Sequence, residues 1–216
     1  MKGGEFMNDV SFNPFNPAFR TRDNSNPEFV WGPLYDTVQY PASGVAQLSF
    51  FTTPKGQTAT LIRAGASSSI IKSYVHTNIE QPGISPNTVR TIIGMVLTYK
   101  HLTPGNVQNP IDRDRIRDHG VIEFKTEAKD LFHLRLLEIP EANPFVIGSV
   151  GSGESTTMIG TAGGGGYGVS MYRFPVPFML EANQGFTFHI DIDGSVAVNR
   201  AVDIGVSFQA YAKRPT

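Results

Sequence analysis

The sequence predicts an all-β fold, a two-sheet antiparallel sandwich, and three observations carry the prediction. Several stretches alternate apolar and polar residues with period two, the signature of strands with one buried face. Turn formers recur along the chain, with 22 Gly and 15 Pro among 216 residues, so the segments between them are mostly strand-sized. Fifteen Phe and seven Tyr stand against 17% charged residues, a balance suited to half-buried pleated surfaces. Hydrophobic residues make up 40% of the chain, enough for one domain with a core of its own.

Residues 1–40 read as an extended N-terminal arm, ahead of a sandwich domain at 41–216. The arm repeats Phe-Asn-Pro at 12–14 and 15–17. Proline removes backbone donors and keeps the preceding residue extended, so the segment suits a surface path rather than the middle of a sheet. It still carries Phe12, Phe15, Phe19, Phe29 and Trp31, more aromatic area than a disordered linker holds. These rings pack either on the chain's own domain or on a neighbouring subunit. Met1 to Phe6 reads as an appended remnant ahead of a natural start at Met7, which the intact mass of the native protein checks. MKGGEFMNDV has no apolar core, so no signal peptide is expected.

Within the domain, Val45 to Thr52 is the first expected strand, closed by a Pro54-Lys55-Gly56 turn. Gln57 to Ala64 and Ile70 to Val75 follow. Val89 to Tyr99 is long, apolar and β-branched, which argues against a helix. Gly94 inside it signals a bulge or a close backbone approach. Leu102 to Asp118 alternates charge through Asp112-Arg113-Asp114-Arg115-Ile116-Arg117-Asp118 and reads as a solvated connection, either one helical turn or a loop. Val121 to Lys125 and Leu131 to Ile139 form a hairpin around KTEAKD at 125–130.

Gly148 to Gly168 holds nine glycines, which predicts a long flexible loop. Phe174, Val176, Phe178 and Leu180 then alternate with Pro175, Pro177 and Met179. After an Asn183-Gln184-Gly185 turn, Phe186, Phe188, Ile190 and Ile192 alternate with Thr187, His189 and Asp191. Such a pair cannot bury its own apolar face, so other strands must supply a facing sheet. Ala201 to Ala212 is the last strand, with Val202, Ile204, Val206, Phe208 and Ala210 on one face. Eight to nine strands, no helix and about 175 residues after the arm fit a single jelly roll.

Charge and motifs exclude more than they assign. Eighteen basic and nineteen acidic residues give a net charge of -1, so bulk charge implies no polyanion partner. The local basic excesses, Arg20 and Arg22 beside Phe19 and Lys213-Arg214, read as solvated surface. Without cysteine there are no disulfides or thiolate metal sites. No apolar run reaches the roughly 20 residues of a membrane span. GTAGGGGYG at 160–168 lacks the Lys and the following helix of a phosphate loop. His189, Asp191 and Asp193 share a strand face at about 6.5–7 Å spacing and offer ligands for a divalent cation. The simpler reading is the polar side of an amphipathic strand. His189-Ile190-Asp191 also lacks the His-x-His of a cupin centre. His76, His101, His119 and His133 stand singly, Gly151-Ser152-Gly153 is no nucleophile elbow, and Glu123, Glu127 and Glu138 form no evident carboxylate pair. No enzyme and no cofactor is expected.

Three stretches carry a family resemblance. FFTTPKGQT at 50–58 and HTNIEQPGISPNTVRTIIGMVLTY at 76–99 resemble the front half of the jelly-roll major capsid proteins of small tailless icosahedral bacteriophages. The matching residues are Phe51, Pro54, Gly56, Thr77, Asn78 and the strand from Val89. YRFPVPFMLEANQGFTFHIDI at 172–192 is similar to their late strands. Together these stretches cover about a quarter of the chain. The resemblance implies a virion protein made in the host cytoplasm, many copies of which tile a shell, with the aromatic arm reaching neighbours. Other capsid proteins become expected partners. Little direct nucleic-acid binding is implied, since no basic arm is present, and an internal membrane can then lie beneath the shell. A carbohydrate-binding or lectin-like module is the alternative that the same architecture allows, with Tyr99, Tyr167, Tyr172 and Tyr211 as candidate platforms.

Overall fold

A computed structural model describes residues 29–63, 66–100, 110–127, 129–139, 145–150, 157–162 and 171–213. Its strands are β1 (Phe29–Trp31), β2 (Leu34–Tyr40), β3 (Gln47–Phe50), β4 (Thr58–Arg63), β5 (Ala66–Ile71), β6 (Arg90–Lys100), β7 (Gly120–Thr126), β8 (Lys129–Arg135), β9 (Phe145–Val150), β10 (Thr157–Ala162), β11 (Tyr172–Leu180), β12 (Phe186–Ile192) and β13 (Val202–Lys213). Among the described residues there is one α-helix, α1 (Pro110–His119), between β6 and β7. The first sheet runs β1-β13-β6-β11, with β2 also paired to β13 along the same side as β1. The second runs β3-β12-β7-β8. Two hairpins, β4–β5 and β9–β10, form small sheets of their own.

Among the described residues all pairings are antiparallel, and four of them are nested. β2 pairs with β13, β3 with β12, β6 with β11 and β7 with β8. The two larger sheets form a sandwich-like arrangement, and the β4–β5 hairpin, α1 and the β9–β10 hairpin fall between their strands in chain order.

Phenylalanines fill the space between the layers. On β12, Phe186, Phe188, Ile190 and Ile192 are all buried, as their alternation predicts. On β13, Val202, Ile204, Val206, Phe208 and Ala210 are buried likewise. Phe208 reaches across from the first sheet to Phe188 (5.3 Å), Phe124 (5.2 Å) and Phe51 (5.9 Å). Phe174 meets Phe132 at 5.0 Å and Phe178 meets Phe124 at 5.4 Å, joining β11 to the opposite sheet. Edge-to-face and offset ring pairs of this kind each contribute about 0.5–1.5 kcal/mol beyond area burial.

Several sequence expectations are corrected. Residues 29–40, assigned to the arm, are β1 and β2 of the first sheet; residues 1–28 lie outside the described residues. The Gly32-Pro33 break divides the two strands, and Leu34 and Tyr40 face the core. The segment 102–118, read as a solvated connection, holds all of α1 but its last residue. The helix rests on tertiary contacts: Asp112 is fully buried and accepts from the Asn199 and Arg200 amides at 2.9 and 3.2 Å, while Ile116 joins the core. The glycine-rich stretch 148–168, read as a loop, includes the second half of β9 and all of β10, paired from Phe145↔Ala162 to Val150↔Thr157. The third strand begins at Ala66 rather than Ile70 and ends before Lys72. The turn at 181–185 does not close a hairpin: it carries the chain from β11 in the first sheet to β12 in the second. Val176 does not follow the face of its neighbours and is exposed. There β11 advances from Arg173 to Phe178 while β6 moves only from Gly94 to Ile92.

Gly94 meets both expectations placed on it. The β13 register also slips beside it, and a Cβ there would lie 2.5 Å from the Tyr172 carbonyl. Gly44, between β2 and β3, is the tighter site. Its φ is +79°, and a Cβ would lie 2.2 Å from the Ser195 carbonyl oxygen. Gly44→Ala is expected to lower stability by about 2–4 kcal/mol, combining left-handed backbone strain with overpacking. Gly194→Ala, at φ +69° with open space around it, should cost only about 1–2 kcal/mol. Urea denaturation of the two variants compares them directly.

Candidate assembly surfaces and a buried charge pair

The candidate cation ligands do not converge. His189 and Asp191 lie on the outer face of β12, but Asp193 falls in the following 3-10 turn, Asp193–Ser195. His189 Nδ1 is 3.1 Å from Ser49 Oγ, and Asp191 Oδ1 accepts from Gln47 Nε2 at 2.7 Å. Both side chains are thereby tied across to β3. Among the described residues, no group of three or more His, Cys, Asp or Glu can hold a metal ion.

The rest of this outer face is a mixed-charge ladder set by strand register. Glu123 lies opposite His189 on one side and His133 on the other. Lys125 Nζ is 2.7 Å from Glu123 Oε1 and 3.8 Å from Asp130. The hydrogen bond to Glu123 holds the Lys125 ammonium above its ordinary pKa. Glu127 lies in the turn beyond β7 and Glu138 in a 3-10 turn after β8, so the three carboxylates occupy three separate settings.

The arm residues Phe12, Phe15 and Phe19 lie outside the described residues. Trp31 is in β1, opposite Tyr211, with its ring centroid 5.4 Å away in an edge-to-face pair. It remains 53% exposed. At the opposite edge of the same sheet, β11 exposes Val176 and Met179. Pro175 and Pro177 cannot donate to a further strand, which blunts that edge. On the β2 side, Asn78 closes the edge: its Oδ1 accepts from the Tyr35 amide at 3.0 Å, and its Nδ2 donates to the Pro33 carbonyl at 2.6 Å. Thr77 Oγ1 donates to the Tyr35 carbonyl at 3.3 Å. The Thr-Asn pair singled out in the sequence thus clamps a strand edge.

A buried charge pair lies where sequence reading did not look. Asp36 is on the inward face of β2 and Lys72 follows β5, with side chains 0% and 1% exposed. Lys72 Nζ is 2.7 Å from Asp36 Oδ1, and Oδ2 accepts from the Phe51 amide at 2.7 Å. Phe51 takes a φ of 60°, uncommon for a bulky residue, and stacks on Phe208. Burial pushes the Asp36 carboxyl above its ordinary pKa, against the pull of Lys72 and the Phe51 and Thr37 amides. The Lys72 backbone bonds Gln57 (2.8 Å) and Gly56 (2.9 Å), so the pair anchors the foot of the β4–β5 hairpin to the core. The available signal was an acid at an inward position in Leu34-Asp36-Val38-Tyr40, hidden when those residues were given to the arm.

Two shallow grooves flank this region. One, of about 260 Å³, includes Asp36 with Tyr35, Thr98 and Ser207; the other, of about 420 Å³, includes Lys72 with Gln39 and Leu61. Among the described residues, no helix is long and apolar enough to cross a membrane. No protein-family model, curated protein or solved structure matches the chain.

Proposed function

We propose that this chain is a structural virion protein, a single jelly-roll capsid subunit that self-assembles in many copies into an icosahedral shell. The observation that carries the reading is the nested strand order. Setting β1 and the inserted hairpins aside, eight strands pair first with last, second with seventh, third with sixth and fourth with fifth, in sheets ordered β2-β13-β6-β11 and β3-β12-β7-β8. A doubled ribbon rolled into two sheets gives that order, and viral capsid domains are among the proteins built this way. Fold alone does not decide function. The exposed apolar groups add support: Trp31 on one edge of the first sheet and Val176 with Met179 on the other suit a tile that meets neighbours on two sides.

In this reading the aromatic arm, with Phe12, Phe15 and Phe19, reaches a neighbouring subunit. Other capsid proteins or an internal membrane lie against the shell, and the chain itself holds nucleic acid weakly. Electron microscopy and light scattering of the purified protein test it: closed particles or large assemblies are expected, and discrete monomers at every concentration overturn it.

The second reading is a carbohydrate-binding module. The edge-to-face Trp31–Tyr211 pair on the outer face of the first sheet favours it, because sugars bind exposed rings. Micromolar sugar binding by a discrete monomer in a glycan screen would select this reading over the shell.

A further inference from the structure

We propose that Asp36 and Lys72 are the two halves of an intramolecular isopeptide bond, formed by the folded chain itself, that ties β2 to the foot of the β4–β5 hairpin. The inference is independent of any role in a shell. It rests on geometry. Nζ and Oδ1 are 2.7 Å apart, and both side chains are screened from water. The second carboxylate oxygen already accepts the Phe51 N–H at 2.7 Å. A nucleophile, an acyl carbon and an oxyanion donor therefore stand together in a dry site.

The condensation balances without any co-reactant. A proton passes from the Lys72 ammonium to the Asp36 carboxylate, leaving a neutral amine and a carboxylic acid. The nitrogen lone pair then attacks Cγ. The developing oxyanion is held by the Phe51 amide, a preorganised donor of the kind that stabilises acyl-transfer intermediates. A second proton moves from nitrogen to the departing hydroxyl, the C–O bond breaks, and one water leaves as the Nζ–Cγ amide forms. The direction in which burial moves Asp36 favours the protonated acid that this step consumes.

Two physical terms drive it. Groups fixed in contact react at effective concentrations of ~10⁵ M or more. The product also replaces two charges, costly to hold in a core, with a neutral amide. The groove beside Lys72 gives the released water a way out.

The test is mass spectrometry of the purified full chain, denatured before measurement. The expected wild-type mass is one water below that of the sequence, and proteolysis should yield a branched peptide joining the segment with Asp36 to the segment with Lys72. Lys72→Met and Asp36→Ala should each restore the full mass and abolish the branched peptide. Because the wild-type peptide map carries the result, a variant that folds poorly does not blur it. A wild-type chain that keeps its full mass after prolonged incubation in the folded state overturns the proposal, as does a missing water that maps to any other pair.

Discussion

Phe188→Asp yields no folded protein. The ring is fully buried on β12 and meets Phe50, Phe51, Phe124 and Phe208 at centroid distances of 5.5, 6.2, 6.2 and 5.3 Å. Emptying such a site costs about 3–5 kcal/mol by itself. A carboxylate left there without a partner adds several kcal/mol more. The sum approaches the whole stability of a domain this size, about 5–15 kcal/mol. Near-UV circular dichroism and limited proteolysis should show an unpacked chain. The adjacent change, His189→Ala, removes an outer-face side chain and its contact with Ser49, and should shift stability by no more than about 1 kcal/mol. If His189→Ala unfolds the protein, the assignment of inner and outer faces is wrong.

Asp36→Ala and Lys72→Met are each expected to lower stability by about 3–5 kcal/mol, because each strands its partner in the core. The double variant should lose less than the sum, since one interaction is being removed twice. Urea denaturation of the three variants and the wild type closes the cycle. Strict additivity would mean that the two residues do not act as a unit.

What the sequence revealed divides along a physical line. Faces were legible and partners were not. Period two located the buried residues of β12 and β13, because alternation depends only on which side of a pleat meets the core. The same pattern could not say that β11 and β12 sit in different sheets, since neither periodicity nor a polar turn records which strand bonds to which. Nor could it follow β11 through its irregular register, where Val176 turns outward. β1 and β2 were missed because Pro and Asn crowd the chain before them and Asp36 interrupts the apolar alternation of Leu34, Val38 and Tyr40. Its compensation, Lys72, comes from a distant segment. The helix α1 was missed because its charges run almost all round; Asp112 and Ile116 commit it through contacts with the 199–200 turn and the core. In the outer-face ladder, residue types were legible, yet only register reveals that Glu123 lies between two histidines.

The strand order also sets a timetable for synthesis. β13 bonds β1 and β2 on one side and β6 on the other, yet it is the last described strand to be made. While the ribosome works through the preceding chain, those strands wait with unmatched backbone groups, and the most distant pairing must close last. The hairpin β7–β8 has its partner at once; the first sheet has only the β6–β11 ladder until β13 is in place. Whatever contacts that sheet offers, a partly made chain cannot offer them.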